Sequence, residues 1–318
     1  MLFIHRRVAE CLATVMTHAT ASSTSDDLRL PLGAITDEFS PDLDVALPAM
    51  AALGMTWAEL RVVWGKNVID LTDEDVDRAR AAVEAHGMRV LTIASPLLKC
   101  TLPGGSPIDP RIQQDQFGAQ YTFEDQPRLT RRAFEIAARS GAKVIRVFSY
   151  WRTVDPNETF DAVVMALQRL AQQAQERGLT IGLENEHACN VATGEETGRL
   201  LAAIPSPDLK AIWDPANALV AGEAAFPGGY SHVPPERIVD VHAKDCRVKD
   251  HTPVWGPIGE MTIDWAGQID ALIADGYRGP IDLETHWTGP NGNKFEASQI
   301  CGRKLRDLLS AKRGPTAP

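Results

Sequence analysis

Short apolar runs recur along this chain, and most are followed by a longer stretch with helical periodicity; the connection after the sixth, with Pro227-Gly228-Gly229 and Pro234-Pro235, is irregular. The runs fall at 30–36, 55–62, 88–95, 142–149, 180–184, 209–214, 237–244 and 280–284. Their length and bounding turn residues read as buried strands. The stretches between them carry helix signals. Ser40-Pro41-Asp42 reads as a helix start, with the helix running to Leu53 and stopped by Gly54. Thr72 caps the next, which ends at His86-Gly87, and Asp155-Pro156 opens another that ends at Gly178. Thr193-Gly194-Glu195-Glu196 matches a capping box, and helices are expected over 127–140, 264–275 and 294–309. Eight alternating units over roughly 280 residues fit a single-domain α/β fold, a (β/α)8 TIM barrel. A dinucleotide-binding sheet would need GxGxxG after its first strand, and a P-loop GxxxxGK[ST]; neither stands here, so no nucleotide cofactor is expected. Residues 30–312 make up the barrel, 1–29 an N-terminal arm or linker, and 313–318 a tail.

The polarity of the strands changes abruptly at their C-terminal ends. Thr180-Ile181-Gly182-Leu183 is apolar, and Glu184-Asn185-Glu186-His187 follows at once. Three later strands end the same way, at Asp214, His242 and Glu284, with spacings of 30, 28 and 42 residues. Each spacing is about one βα unit, so the four side chains converge on one half of the barrel mouth, where barrel enzymes keep their chemistry. Three carboxylates and an imidazole suit one divalent cation, Mn²⁺ or Mg²⁺ first, with Co²⁺, Fe²⁺ and Zn²⁺ also within reach. Lys244 shares a strand face with His242. Asn217, Glu186, His187 and His286 cluster at the same rim. Glu59, Arg61, Lys66 and Arg146 come from the other half of the mouth, where the cations suit a polyol, carboxylate or phosphate; Arg61 can equally pair with Glu59. Singly, each of these residues also reads as an ordinary ion-paired or surface group. The Pro- and Gly-rich loop at 96–121 and the turn at Trp64-Gly65-Lys66 follow strands, and are expected to cover the substrate or to serve a subunit contact.

Composition narrows the function further. A net charge of −10 disfavours a nucleic-acid surface. Five scattered cysteines without CxxC spacing read as reduced thiols of a cytoplasmic protein. No apolar run approaches a membrane span. His5, Arg6 and Arg7 precede an apolar stretch at 8–16, but Glu10 interrupts it, which favours an arm or extra helix over a signal peptide.

The segments Glu184-Asn185-Glu186-His187, Trp213-Asp214-Pro215-Ala216-Asn217, Val241-His242-Ala243-Lys244-Asp245 and Asp282-Leu283-Glu284-Thr285-His286 together resemble the sugar phosphate isomerase/epimerase superfamily. That xylose isomerase-like barrel group includes ketose 3-epimerases, inosose dehydratases, hydroxypyruvate isomerases and endonuclease IV. The likeness covers about residues 30 to 310. It implies one divalent metal on Glu184, Asp214, His242 and Glu284, with Glu184 and Glu284 also serving as acid and base. The implied activity is isomerisation or epimerisation of a keto-sugar or polyol through an enediolate. A keto-sugar dehydratase or keto-glycoside lyase at the same site, and a non-catalytic sugar-binding barrel, are the alternatives. No nucleic-acid or membrane partner is implied, and a homo-oligomer stays open. The chain departs from the epimerase pattern at Asn217, Asn190 and Val248, where those enzymes carry histidine, glutamate and arginine.

Overall fold

The computed structural model describes residues 28–250 and 252–310; the expected arm up to residue 27 and the C-terminal tail lie outside them. Eight parallel strands close into a barrel: β1 (Leu32–Ile35), β2 (Trp57–Leu60), β3 (Arg89–Leu97), β4 (Val144–Val147), β5 (Thr180–Glu184), β6 (Leu209–Trp213), β7 (Ile238–Ala243) and β8 (Ile281–Leu283). Each strand pairs with its sequence neighbours, and β8 closes on β1 through Gly33 opposite Asp282. The helices pack outside: α1 (Leu43–Ala52), α2 (Asp73–Ala85), α3 (Gln126–Ser140), α4 (Pro156–Gln175), α5 (Gly194–Ala203), the short α6 (Pro215–Val220), α7 (Trp265–Ala274) and α8 (Lys294–Ser310). No helix among the described residues is long and apolar enough to cross a membrane.

The local signals explain where these elements begin and end. Thr72 and Thr193 accept from the Asp75 and Glu196 amides, and the Thr193–Glu196 box is complete. Gly141 ends α3 in the left-handed conformation. Helix α1 differs from expectation. It starts at Leu43 and is capped by Asp42, whose carboxylate accepts from the Asp44 amide. Ser40 instead accepts from the Asp42 amide and so shapes the turn before the helix.

Inside the barrel, side chains two apart on a strand share the inner face. Leu91, Val144 and Ile212 form an apolar floor with Trp57 and Val239. Above the floor the interior becomes polar. The main core lies between the outer strand faces and the helices. Two hairpins leave the barrel at its C-terminal end. Val62–Val63 pairs with Lys66–Asn67, and its turn residues Trp64 and Gly65 both take positive φ, as a two-residue hairpin turn requires. Asp245–Lys249 pairs with Thr252–Gly256 directly after β7. The sequence pattern showed neither.

Candidate metal centre

Glu184, Asp214, His242 and Glu284 end β5, β6, β7 and β8 and meet in the mouth. One ligand atom from each lies within 4.8 Å of the others, and all four side chains are buried. Neighbouring backbone sets their positions. Asn185 accepts from the Asp214 amide at 2.8 Å and donates to the Asp214 carbonyl at 2.8 Å, locking β6 to β5 at their ends. Asp214 also caps α6 through the Asn217 amide. Glu184 Oε2 and His242 Nδ1 are buried without a hydrogen-bond partner. Asp214 Oδ2 lies 2.8 Å from Lys244 Nζ but off the hydrogen-bonding direction. Unsatisfied hard donors buried at one point are what a divalent cation would satisfy, so the residues fit such an ion.

The cations and acids around this point divide the labour. Lys244 Nζ bridges Asp214 Oδ2 and Glu284 Oε2, each at 2.8 Å. Arg61 Nη1 donates to Glu284 Oε1 at 2.8 Å, and its other donors go to Asp37 and Glu38. Arg61 thus pairs with the acids following β1, not with Glu59. Burial alone would push the Glu284 carboxyl up, but Lys244, His242 and Arg61 overcome it and hold it well below the usual range. Burial, helped by repulsion from Glu284 and Glu184, pushes Asp214 up to about 6 against the pull of Lys244. Glu184 has weaker company. Arg146 Nη1 stands 3.1 Å from its Oε2, and Asn217 Nδ2 donates to its Oε1 at 3.2 Å.

Beneath the centre sits a layer of acids, of which the sequence reading had Glu59 among the mouth residues and left out Asp240 and Asp282. Glu59 Oε1 accepts from His242 Nε2 at 3.1 Å, which leaves Nδ1 facing Glu184 and Glu284 at 3.5 and 3.4 Å. Asp240 and Asp282 flank Glu59, and all three are fully buried. Burial and mutual repulsion hold both aspartates well above the usual carboxyl range, so each keeps a proton to donate to Glu59. Burial works against Glu59 as well, but the His242 ring and those two donors bring it down to about 2. The alternation Asp240-x-His242-x-Lys244 and Asp282-x-Glu284 was the available signal for this layer.

The other expected residues divide into those at the mouth and those away from it. Asn217 joins the cluster and also contacts His187 at 3.0 Å. His187 lies 2.9 Å from Glu186, whose carboxylate faces Lys99 at 3.7 Å. His286 stacks near Trp255 of the second hairpin at 4.6 Å, and burial together with Lys244 and Arg61 holds its ring well below normal, hence neutral. Glu59 is at the base of the centre rather than on its open side. Lys66 makes its ion pair outside the cluster: it is half exposed and pairs with Asp75 of α2 at 3.2 Å, while Trp64 stacks under Arg78 of the same helix. That turn is tied to α2 by these two contacts.

This is a (β/α)8 barrel with a carboxylate–histidine centre at the C-terminal ends of its strands. The chain belongs to the xylose isomerase-like TIM barrel family, whose model matches residues 47–305. It is 25% identical over 168 residues to an inosose dehydratase of Lactiplantibacillus plantarum, a match spanning 48% of this chain and 55% of that protein. The chain therefore spans about half the length of the curated relatives it matches. Among solved structures, the IolI protein with a bound zinc atom superposes with a TM-score of 0.66 at 16% identity, covering 88% of this chain and 98% of that one. D-psicose 3-epimerase of Clostridium cellulolyticum H10, solved with D-tagatose, gives 0.62 at 14% identity, covering 88% and 97%. At such identities these structures speak for the fold.

Proposed function

We propose that this protein is a divalent-metal-dependent enzyme that removes a proton from the carbon beside a carbonyl of a keto-sugar or polyol-derived ketone. The observation that carries this reading is the buried convergence of Glu184, Asp214, His242 and Glu284, with Glu184 Oε2 and His242 Nδ1 left without partners. A cation bound by these four, Mn²⁺ foremost, would polarise the carbonyl and favour the charge that develops on its oxygen. Glu184 is the base. Its Oε1 accepts from the neutral Asn217 amide and its Oε2 has no hydrogen-bond partner, so this carboxylate is free to reach a substrate, whereas two cations hold Glu284. Lys244 places an ammonium 2.8 Å from Asp214 and Glu284, where it can stabilise negative charge developing on the substrate. Asn217 and Glu59 orient Glu184 and His242.

Return of the proton to the substrate makes the enzyme an isomerase or epimerase. Loss of a β-hydroxyl makes it a dehydratase. Two observations favour this second outcome. The curated relatives are inosose dehydratases. The two glutamates are also unequal, whereas epimerisation wants two comparable bases and dehydration one base and one acid. The test is exchange of the α-hydrogen in deuterated water across a panel of keto-sugars and inososes, with chelator-treated protein reloaded with Mn²⁺, Mg²⁺, Co²⁺ or Zn²⁺. We expect metal-dependent exchange, and the product distinguishes isomer from dehydrated ketone. No exchange on any member with any metal overturns the enzymatic reading and leaves a sugar-binding barrel.

A further inference from the structure

Lys99 lies two residues past β3, in the long loop, and nothing in the sequence singles it out. Its side chain is only 4% exposed. The ammonium sits 4.3 Å from the ring centroid of Phe117, 4.5 Å from Phe148 and 5.8 Å from Trp151. The Arg146 guanidinium shares two of those rings, at 5.4 Å from Phe117 and 4.9 Å from Phe148. Two like charges are therefore buried against one apolar wall, and neither uses all its donors. The carboxylate paired with Lys99, Glu186, is 3.7 Å away, beyond hydrogen-bond reach, and lies nearer to His187. Arg146 donates from Nη2 to the Ala94 carbonyl at 3.2 Å, while its Nε and Nη1 have no hydrogen-bond partner. Arg61, by contrast, has each of its three guanidinium nitrogens bonded to a carboxylate. Buried cations with unspent donors are unfavourable unless an anion completes the set.

We propose that Lys99 and Arg146 form an anion subsite walled by Phe117, Phe148 and Trp151, and that the substrate is an acidic keto compound carrying a carboxylate or a phosphate. The proposal rests on the proton-transfer reading in setting the reacting carbon at the metal centre. Arg146 joins the two, since it touches both the rings and Glu184. The rings exclude water, which strengthens a charge-assisted hydrogen bond between substrate and cations.

The test uses the full chain loaded with Mn²⁺ and three probes: D-fructose, D-fructose 6-phosphate and 5-keto-D-gluconate. Binding is followed by tryptophan fluorescence, with Trp151 at the subsite. At least one anionic probe should bind about 10- to 100-fold tighter than fructose, the worth of one or two charged hydrogen bonds. Which of the two does so tells carboxylate from phosphate. Lys99→Met, which keeps the apolar stem, should remove most of that preference, and Lys99→Arg should restore it. If the methionine variant does not fold by circular dichroism, Lys99→Gln replaces it. Equal affinity for the three probes, or a preference that survives loss of the Lys99 charge, overturns the subsite. Binding is read without turnover, so the two readings fail separately. Tight anion binding with no α-hydrogen exchange on any member of the panel supports the subsite and overturns the proton-transfer reading. Exchange on fructose as fast as on the acidic probes overturns the subsite alone.

Discussion

Asp282 fits inside the barrel because its opposite number is glycine: a Cβ on Gly33 would fall 2.1 Å from Asp282 Oδ1. Three carboxyls then share a dry interior with one imidazole, and the proton distribution follows from burial. Asp282 keeps its proton in the folded state well above the pH at which an unfolded aspartate loses it. The folded form thus binds more protons, and stability falls as pH rises above the ordinary aspartate value toward the raised one. Asparagine keeps the donor and cannot ionise. Asp282→Asn should therefore melt at least about 2 °C above the parent at pH 8, the gap narrowing toward pH 4. Thermal melts across that range decide it, and a constant gap points to packing instead. Glu59 acts through a different residue. By accepting from His242 Nε2 it fixes the tautomer that leaves Nδ1 for a cation. Glu59→Gln should weaken Mn²⁺ binding about 10- to 100-fold, measured by competition with a chelating dye. An unchanged affinity would show that the ring needs no such support.

At the scale of elements, what the sequence disclosed depended on how local the cause was. Strand bodies and helix caps were legible because alternation and capping are written within a few residues. The strand-end acids were legible because parallel barrels put strand C-termini at one mouth. Lys99, Phe117 and the pairing of Arg61 with Asp37 and Glu38 were not, since each depends on how loops fold back over the barrel. The pairing of Lys66 with Asp75 was not legible for the same reason, since its turn leans on α2. The long loop does fold over the mouth. Ile108, Ile112 and Phe117 pack with Phe148, Trp151, Ala188 and Cys189. Gln116 pins the tip through Lys99 and Tyr121 carbonyls at 2.6 and 2.9 Å. A cavity of about 730 Å³ lies on its outer side, lined by Thr101, Gln116, Tyr121 and Trp151. That cavity is beside the centre rather than over the carboxylates. Phe117, against Arg61, Lys99 and Arg146, is the side chain that covers them. Phe117→Ala should lower kcat/KM by about 10-fold, from lost ring–cation contacts and admitted water. Turnover of the best substrate from the exchange panel reads this, and parental kinetics would remove Phe117 as a cover.

Across the whole molecule the net charge is −10, and several of those acids are concentrated where the strands end. A barrel mouth with Glu184, Asp214 and Glu284 side by side needs positive charge to stay folded. The structure supplies it from Lys244, 2.8 Å from both Asp214 and Glu284. Burial works against that ammonium, but Asp214 and Glu284 hold its proton affinity well above normal, so it stays charged. A divalent cation would claim the same oxygens, so lysine and metal would support the fold in parallel. Lys244→Met removes one support and leaves the acids repelling one another. The variant should melt below the parent when both are treated with chelator. Saturating Mn²⁺ at about 100 times its Kd should stabilise the parent by about 2.7 kcal/mol, a shift of several degrees. The variant should gain at least about 2 °C more than the parent, because the ion relieves repulsion that lysine otherwise relieves. Paired melts of the two proteins, with chelator and with Mn²⁺, measure the difference directly. Equal gains would mean that Lys244 and the metal act independently. A smaller gain in the variant would mean that Lys244 helps to hold the ion rather than sharing its carboxylates.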